Sequence, residues 1–239
     1  MKKFLILTLV MCALTGCAGT DIESERSMAD IYQDAYENFN DGDYARAAEL
    51  FLMAESEHST DAFAPDALVM AAYSHYMDED FPAALIATDR FLRFHPGHKD
   101  AAYVLYLRGM CYYRQVSDVR REPGMSVYAL QQFEQLRERF PNSEYAKNAK
   151  NKINILKNYI AGKVMYSART DMHKENWTSA ITKLQSVITT ADETVMAPEA
   201  LYRLGQCYAA IGLPSQGAGY ADMLRKNYPD NEWTKRLKK

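Results

Sequence analysis

His95 and His98 flank Pro96-Gly97, a spacing that could bring two imidazoles to one ion. The acid of a helical H-E-x-x-H motif is missing, and a Pro-Gly pair makes a loop, so no metal is expected. His58, His75 and His173 are scattered over separate stretches. Asp78, Glu79 and Asp80 form an acidic cluster of the kind found at a solvated helix junction. No G-x-S-x-G, P-loop or dinucleotide glycine pattern occurs. The chain is therefore not expected to be an enzyme, and neither a catalytic residue nor a cofactor is expected. Lys+Arg number 28 against Asp+Glu 31, a net charge of −3 without a basic run, which argues against nucleic acid as a partner.

Cysteine offers the clearest chemistry. Lys2 and Lys3 precede an apolar stretch, Phe4 to Leu14, that is too short to span a bilayer alone. It ends in Leu14-Thr15-Gly16-Cys17, which resembles the lipobox of bacterial lipoproteins. That resemblance implies cleavage between Gly16 and Cys17, a covalent lipid on Cys17, and, with Ala18 following, the outer membrane as destination. Several acyl chains anchor stably where one is marginal. Loss of Lys2 and Lys3 takes the net charge from −3 to −5. Residues 17–27 read as the lipidated cysteine and a polar tether, whose ten extended residues reach roughly 35 Å at most. Cys12 leaves with the signal. Cys111 and Cys207 fall on first helices two repeats apart, so they are expected as small core residues rather than a disulfide.

The elements that would position these residues repeat. Pro65 to His98 reads as two amphipathic helices around a tight turn, with small Ala72 and Ala84 at the close approach and Pro96 as the stop. A helix–turn–helix period of about 34 residues with these small positions is the tetratricopeptide (TPR) signature. Further copies follow in register, giving repeats at about 28–61, 65–98, 102–143, 147–194 and 198–231 within a solenoid spanning 28–239. The third carries an insertion around Ser117 to Ser126. The fourth should have a longer first helix and lacks its closing proline, and in the fifth Gly217 replaces the usual alanine, weakening that helix by roughly 1 kcal/mol. Asp230 to Lys239 looks short for a capping helix. No strand pattern is visible. The expectation is an all-α TPR superhelix of five repeats, about ten helices, after a lipoprotein signal peptide of residues 1–16.

In such a solenoid the first helices form the concave wall. Their fifth, ninth and twelfth positions supply Tyr32, Tyr36 and Phe39, then Val69, Tyr73 and Tyr76, then Tyr106, Met110 and Tyr113. In the fifth repeat they are Tyr202, Gln206 and Ala209, so the aromatics concentrate in the N-terminal half. Tyrosine has a broad apolar face, a polar tip and few rotors, which suits an extended peptide. Tyr32, Tyr36, Tyr73, Tyr76, Tyr106 and Tyr113 are the candidate peptide-binding groove. The same residues could instead pack between neighbouring helices.

Several stretches, GDYARAAELF, AAYSHY, TDRFLRFHPGH, YVLYLRGMCYY and FPNSEYAKNA, are similar to the BamD family, lipoproteins of the outer-membrane β-barrel assembly machine. The similarity spans essentially the whole mature chain, although the family's acidic D-R-D-P reads Arg120-Arg121-Glu122-Pro123 here. The resemblance implies a scaffold lipid-anchored on the periplasmic side of the outer membrane. Its C-terminal repeats would bind the BamA periplasmic domain beside other assembly-machine lipoproteins, with Lys183 at the position of a family basic residue. Its N-terminal repeats would bind C-terminal targeting segments, ending in an aromatic, of unfolded outer-membrane proteins. The alternatives are a TPR lipoprotein adaptor for envelope constriction or peptidoglycan synthesis, which would carry a coiled coil that is missing here, and a solenoid enzyme, for whose catalytic domain no residues remain.

Overall fold

The computed structural model describes residues 26–116 and 124–237, and every described regular element is a helix. The cleavage and lipidation residues Gly16 and Cys17, the signal peptide and nearly all of the tether lie outside them. So do Arg120, Arg121, Glu122 and Pro123 of the insertion.

Five helix pairs run in chain order: α1 (Met28–Asp41) with α2 (Tyr44–Glu57), α3 (Ala64–Met77) with α4 (Phe81–Phe94), α5 (Ala101–Arg114) with α6 (Gly124–Arg139), α7 (Glu144–His173) with α8 (Trp177–Thr190), and α9 (Ala197–Ala210) with α10 (Pro214–Asn227). Each helix packs on its neighbours in sequence, and α5 also touches α3 and α7, so first helices line one wall. α7 is 30 residues long, about 45 Å at 1.5 Å per residue. The insertion is shorter than its composition suggests, because Gly124 begins α6 and Ser126 is already buried.

Local chemistry sets the helix ends. Asp43 and Asp80 accept the backbone N–H of Arg46 and Ala83, each at 3.1 Å, and Ser143 accepts that of Ala146. The turn inside four pairs places one residue in left-handed backbone: Gly42, Glu79, Glu175 and Gly212. α8 ends without proline; instead the Thr194 hydroxyl donates to the Ala191 carbonyl, and Asn158 accepts the Val195 N–H.

Phe51, Phe91 and Phe133 are fully buried between the layers, each worth about 2–3 kcal/mol of transfer free energy. Alanines and glycines fill the close approaches. A Cβ on Gly109 would stand 2.5 Å from the Phe133 ring, and one on Gly217 would stand 2.8 Å from the Gly205 carbonyl oxygen. Glycine at 217 thus does more than weaken α10: it lets α9 and α10 meet backbone to backbone. Cys111 and Cys207 are buried free thiols, and burial pushes them up to about 12 and about 11.

One expectation needs correcting. The C-terminal end does fold as a capping helix, α11 (Glu232–Arg236), making eleven helices among the described residues. Asn231 caps it by accepting the Trp233 N–H, Thr234 is buried, and Trp233 packs on Tyr202 with ring centroids 5.2 Å apart. A short polar segment conceals such a helix, since a cap and one aromatic anchor suffice.

Candidate peptide-binding cavity

The first three repeats and the start of α7 enclose a cavity of about 820 Å³. Tyr32, Tyr73, Tyr103 and Tyr145 form much of its wall, with Met28, Val69, Met70 and the exposed Phe63 completing the apolar surface. Asp61, Asp66 and Asp100 are its charged residues. A volume of this size, mostly apolar with a few polar groups, suits one or two large side chains of a bound chain.

The six tyrosines singled out from the sequence divide. Tyr32 and Tyr73 line the cavity. Tyr36 is exposed, and Tyr76, stacked on Tyr73 and beneath the Arg114 guanidinium, lies just beyond the lining. Tyr106 and Tyr113 pack on the buried ring of Phe133, at 5.8 and 6.3 Å, and are partly buried between helices. Neither of those two is among the residues that line the cavity.

Tyr103 and Tyr145 were missed by sequence reasoning. Tyr103 precedes Tyr106 by three residues and so shares its helix face; Ala29 and Asp66 occupy the matching positions and also line the cavity. Tyr145 is hidden because the repeat pattern places the start of the fourth repeat at Lys147, whereas α7 begins at Glu144. The rings form a continuous path from Phe39 through Tyr73, Tyr103 and Tyr145 to Tyr106 and Phe133, each step between 5.3 and 6.3 Å. Burial, and then the nearby tyrosines, push the Tyr103 hydroxyl well above its usual range. Burial and then the Asp66 carboxylate raise Tyr32. Both hydroxyls stay protonated at neutral pH and remain able to donate hydrogen bonds.

The H-x-x-H reading also changes in three dimensions. His98 lies with Asp100, two residues on, and with Asp66 from the preceding repeat, so that one ligand atom of each falls within 4.8 Å of the others. Helix stacking supplies the acids that the linear motif lacks. His98 Nδ1 already accepts the Asp100 N–H at 3.3 Å, and its ring packs edge-on against Phe91. Asp66 pairs with Lys99 at 3.3 Å.

Lys183 sits elsewhere, on α8, engaged within the chain. Its ammonium donates to Asp171 at 2.6 Å and to Ser167 at 2.8 Å. Hydrogen bonds from Lys183 and then Ser179 hold the Asp171 carboxyl below its ordinary range. A partner carboxylate would have to compete with Asp171 for this cation. Close by, Glu199 is nearly buried and bridges Arg169 on α7 and Arg203 on α9. Burial raises its pKa, but the hydrogen bonds from the two guanidinium groups outweigh that, and its net shift is downward.

The outer membrane lipoprotein family model YfiO matches residues 24–224. The chain belongs to this family. BamD relatives named outer membrane protein assembly factors match along most of its length. The one from Caulobacter vibrioides is 31% identical over 94% of this chain and 75% of its own. That from Rickettsia prowazekii is 30% identical over 97% of this chain and 93% of its own. Among solved structures, a TPR protein of Thermus thermophilus aligns with a TM-score of 0.39 at 18% identity, covering 88% of this chain and 96% of its own. In this chain the cavity lies in the N-terminal repeats and Lys183 in the C-terminal ones. No described helix is long and apolar enough to cross a membrane.

Proposed function

We propose that this protein is an outer-membrane protein assembly factor, held at the periplasmic face of the outer membrane by lipid on Cys17. In this reading its N-terminal cavity captures aromatic-bearing C-terminal targeting segments of unfolded outer-membrane proteins. Its C-terminal repeats dock the BamA periplasmic domain within an assembly of lipoproteins. The observation that carries the reading is the aromatic cavity of the first three repeats, large enough for bulky side chains and walled by tyrosines that need little ordering on binding. Family membership supports outer-membrane proteins as the class of client.

The test uses fluorescent extended peptides carrying aromatic side chains on one face. Tyr73→Ala should weaken binding about tenfold or more while helical circular dichroism is retained. Unchanged affinity in a folded Tyr73→Ala protein would remove the cavity from client capture. For the docking half, Lys183→Glu should reduce co-purification of the BamA periplasmic domain, and undiminished recovery would take Lys183 out of that contact.

A further inference from the structure

The cavity's aromatic wall carries an acidic lip. Asp61, Asp66 and Asp100 line it, and no lysine or arginine does among the described residues. Asp66 and Asp100 are drawn within 4.8 Å of each other around His98. The base that reaches this group is Lys99, 3.3 Å from Asp66 and 70% exposed in its side chain. A contact of that kind is screened by water and easily exchanged for another cation. Asp61 spends one oxygen on the Phe63 N–H at 2.8 Å, which fixes its carboxylate at the lip.

From this we infer that the cavity selects segments in which the inserted aromatic side chain is accompanied by a lysine or arginine two residues away, and that it disfavours a free terminal carboxylate at the lip. In an extended chain, residues two apart point to the same side about 7 Å apart, so one strand can insert its ring while its cation meets the carboxylates. A terminal carboxylate following the inserted ring would meet three like charges offset by one exposed lysine. The aromatic that enters is therefore internal to the segment, and the chain end lies outside the lip. This inference rests on the peptide-capture reading above and adds the charge of the ligand to it.

The experiment measures fluorescence anisotropy with the full chain in detergent and EDTA, so that no divalent ion can stand in for the peptide's cation. One set of ten-residue peptides carries a fixed internal aromatic with Lys, Gln or Asp two residues before it. A second set ends on the aromatic as free acid or amide. Affinity should fall in the order Lys, Gln, Asp, spanning about tenfold, and the amide should bind several-fold tighter than the acid. Added salt and the paired change Asp61→Asn with Asp66→Asn should both compress these differences. Equal binding of Lys and Asp peptides, or tighter binding of the free acid, overturns the charge inference if Tyr73→Ala still weakens binding. Peptide binding that ignores Tyr73→Ala overturns the capture reading itself.

Discussion

Two stretches of this solenoid start from nearly the same five residues and end in opposite surroundings. Ala64-Pro65-Asp66-Ala67-Leu68 opens α3, and Ala197-Pro198-Glu199-Ala200-Leu201 opens α9. Asp66 faces an open cavity, with the exposed Lys99 as its ion-pair partner. Glu199 is sealed and gripped by two guanidinium groups, Arg169 at 2.8 and 2.5 Å and Arg203 at 2.5 Å. The aromatic neighbours differ in the same direction. Tyr32 lines the cavity, while its counterpart Tyr202 lies against Trp233 of α11. Tyr208 and Tyr220, stacked 5.5 Å apart, both receive hydrogen bonds from Gln185. These polar and aromatic groups at the C-terminal end have their partners within the chain, whereas Asp66 and Tyr32 at the N-terminal end border an open cavity. The same repeat thus closes on its own partners in one place and borders an open cavity in the other.

The largest effect should come from breaking the Glu199 clasp. Glu199→Gln should cost about 2 kcal/mol by urea unfolding, below the ~3–5 of a fully buried pair because the Arg169 side chain is 37% exposed. Asp66→Asn should change stability by no more than about 0.5 kcal/mol. The clasp also has a pH signature. With its folded pKa depressed, Glu199 contributes fully above the unfolded carboxyl value of about 4.3, and the contribution fades as pH falls through the lower folded value. Glu199→Gln should flatten that acid limb, and equal costs at Asp66 and Glu199 would erase the contrast.

A smaller effect tests the cover. Trp233 is half-buried, with Arg236 4.3 Å and Arg203 5.6 Å from its ring. Trp233→Ala should lower stability by about 1–2 kcal/mol and raise the accessibility of Tyr202 to quenchers, without altering peptide affinity at the distant cavity. A loss of peptide affinity would show the two ends to be coupled.

How much of this contrast the sequence carries follows from what each feature depends on. The helix pairs were legible because period, caps and small positions are local: Asp43, Asp80 and Pro96 act within a turn or two of themselves. Tyr32 and Tyr73 were legible because a helix face repeats. Tyr103 and Tyr145 were not, since the cavity closes between three repeats and its depth depends on where α7 begins. Locally the residue four positions on separates Asp66 from Glu199, Met70 after the first and Arg203 after the second. Their other partners, Lys99 and Arg169, lie about thirty residues away along the chain and reach them only through stacking.

The smallest predicted effect compares the two halves at the same turn. Glu79 and Glu175 hold left-handed backbone, with φ of 60° and 61°, where the first and fifth repeats use Gly42 and Gly212. A side chain in that region costs about 1–2 kcal/mol, whereas glycine adopts it freely but loses more entropy on folding. The balance favours glycine, so Glu175→Gly should raise stability by about 0.5 kcal/mol in thermal or urea unfolding. Glu79→Gly should gain less, because Glu79 also pairs with Arg114 at 2.5 Å and that guanidinium in turn sits over the Tyr76 ring. The pair is exposed and contributes little to stability, so the difference should be a few tenths of a kcal/mol. Its consequence would be seen instead at Tyr76: releasing Arg114 frees that ring, and with it the outer edge of the stack on Tyr73. If Glu79→Gly and Glu175→Gly gain the same stability and leave peptide affinity alike, the Glu79–Arg114 pair is only surface charge. If Glu79→Gly alone weakens peptide binding, this turn braces the cavity's edge, as its sequence twin in the fourth repeat does not.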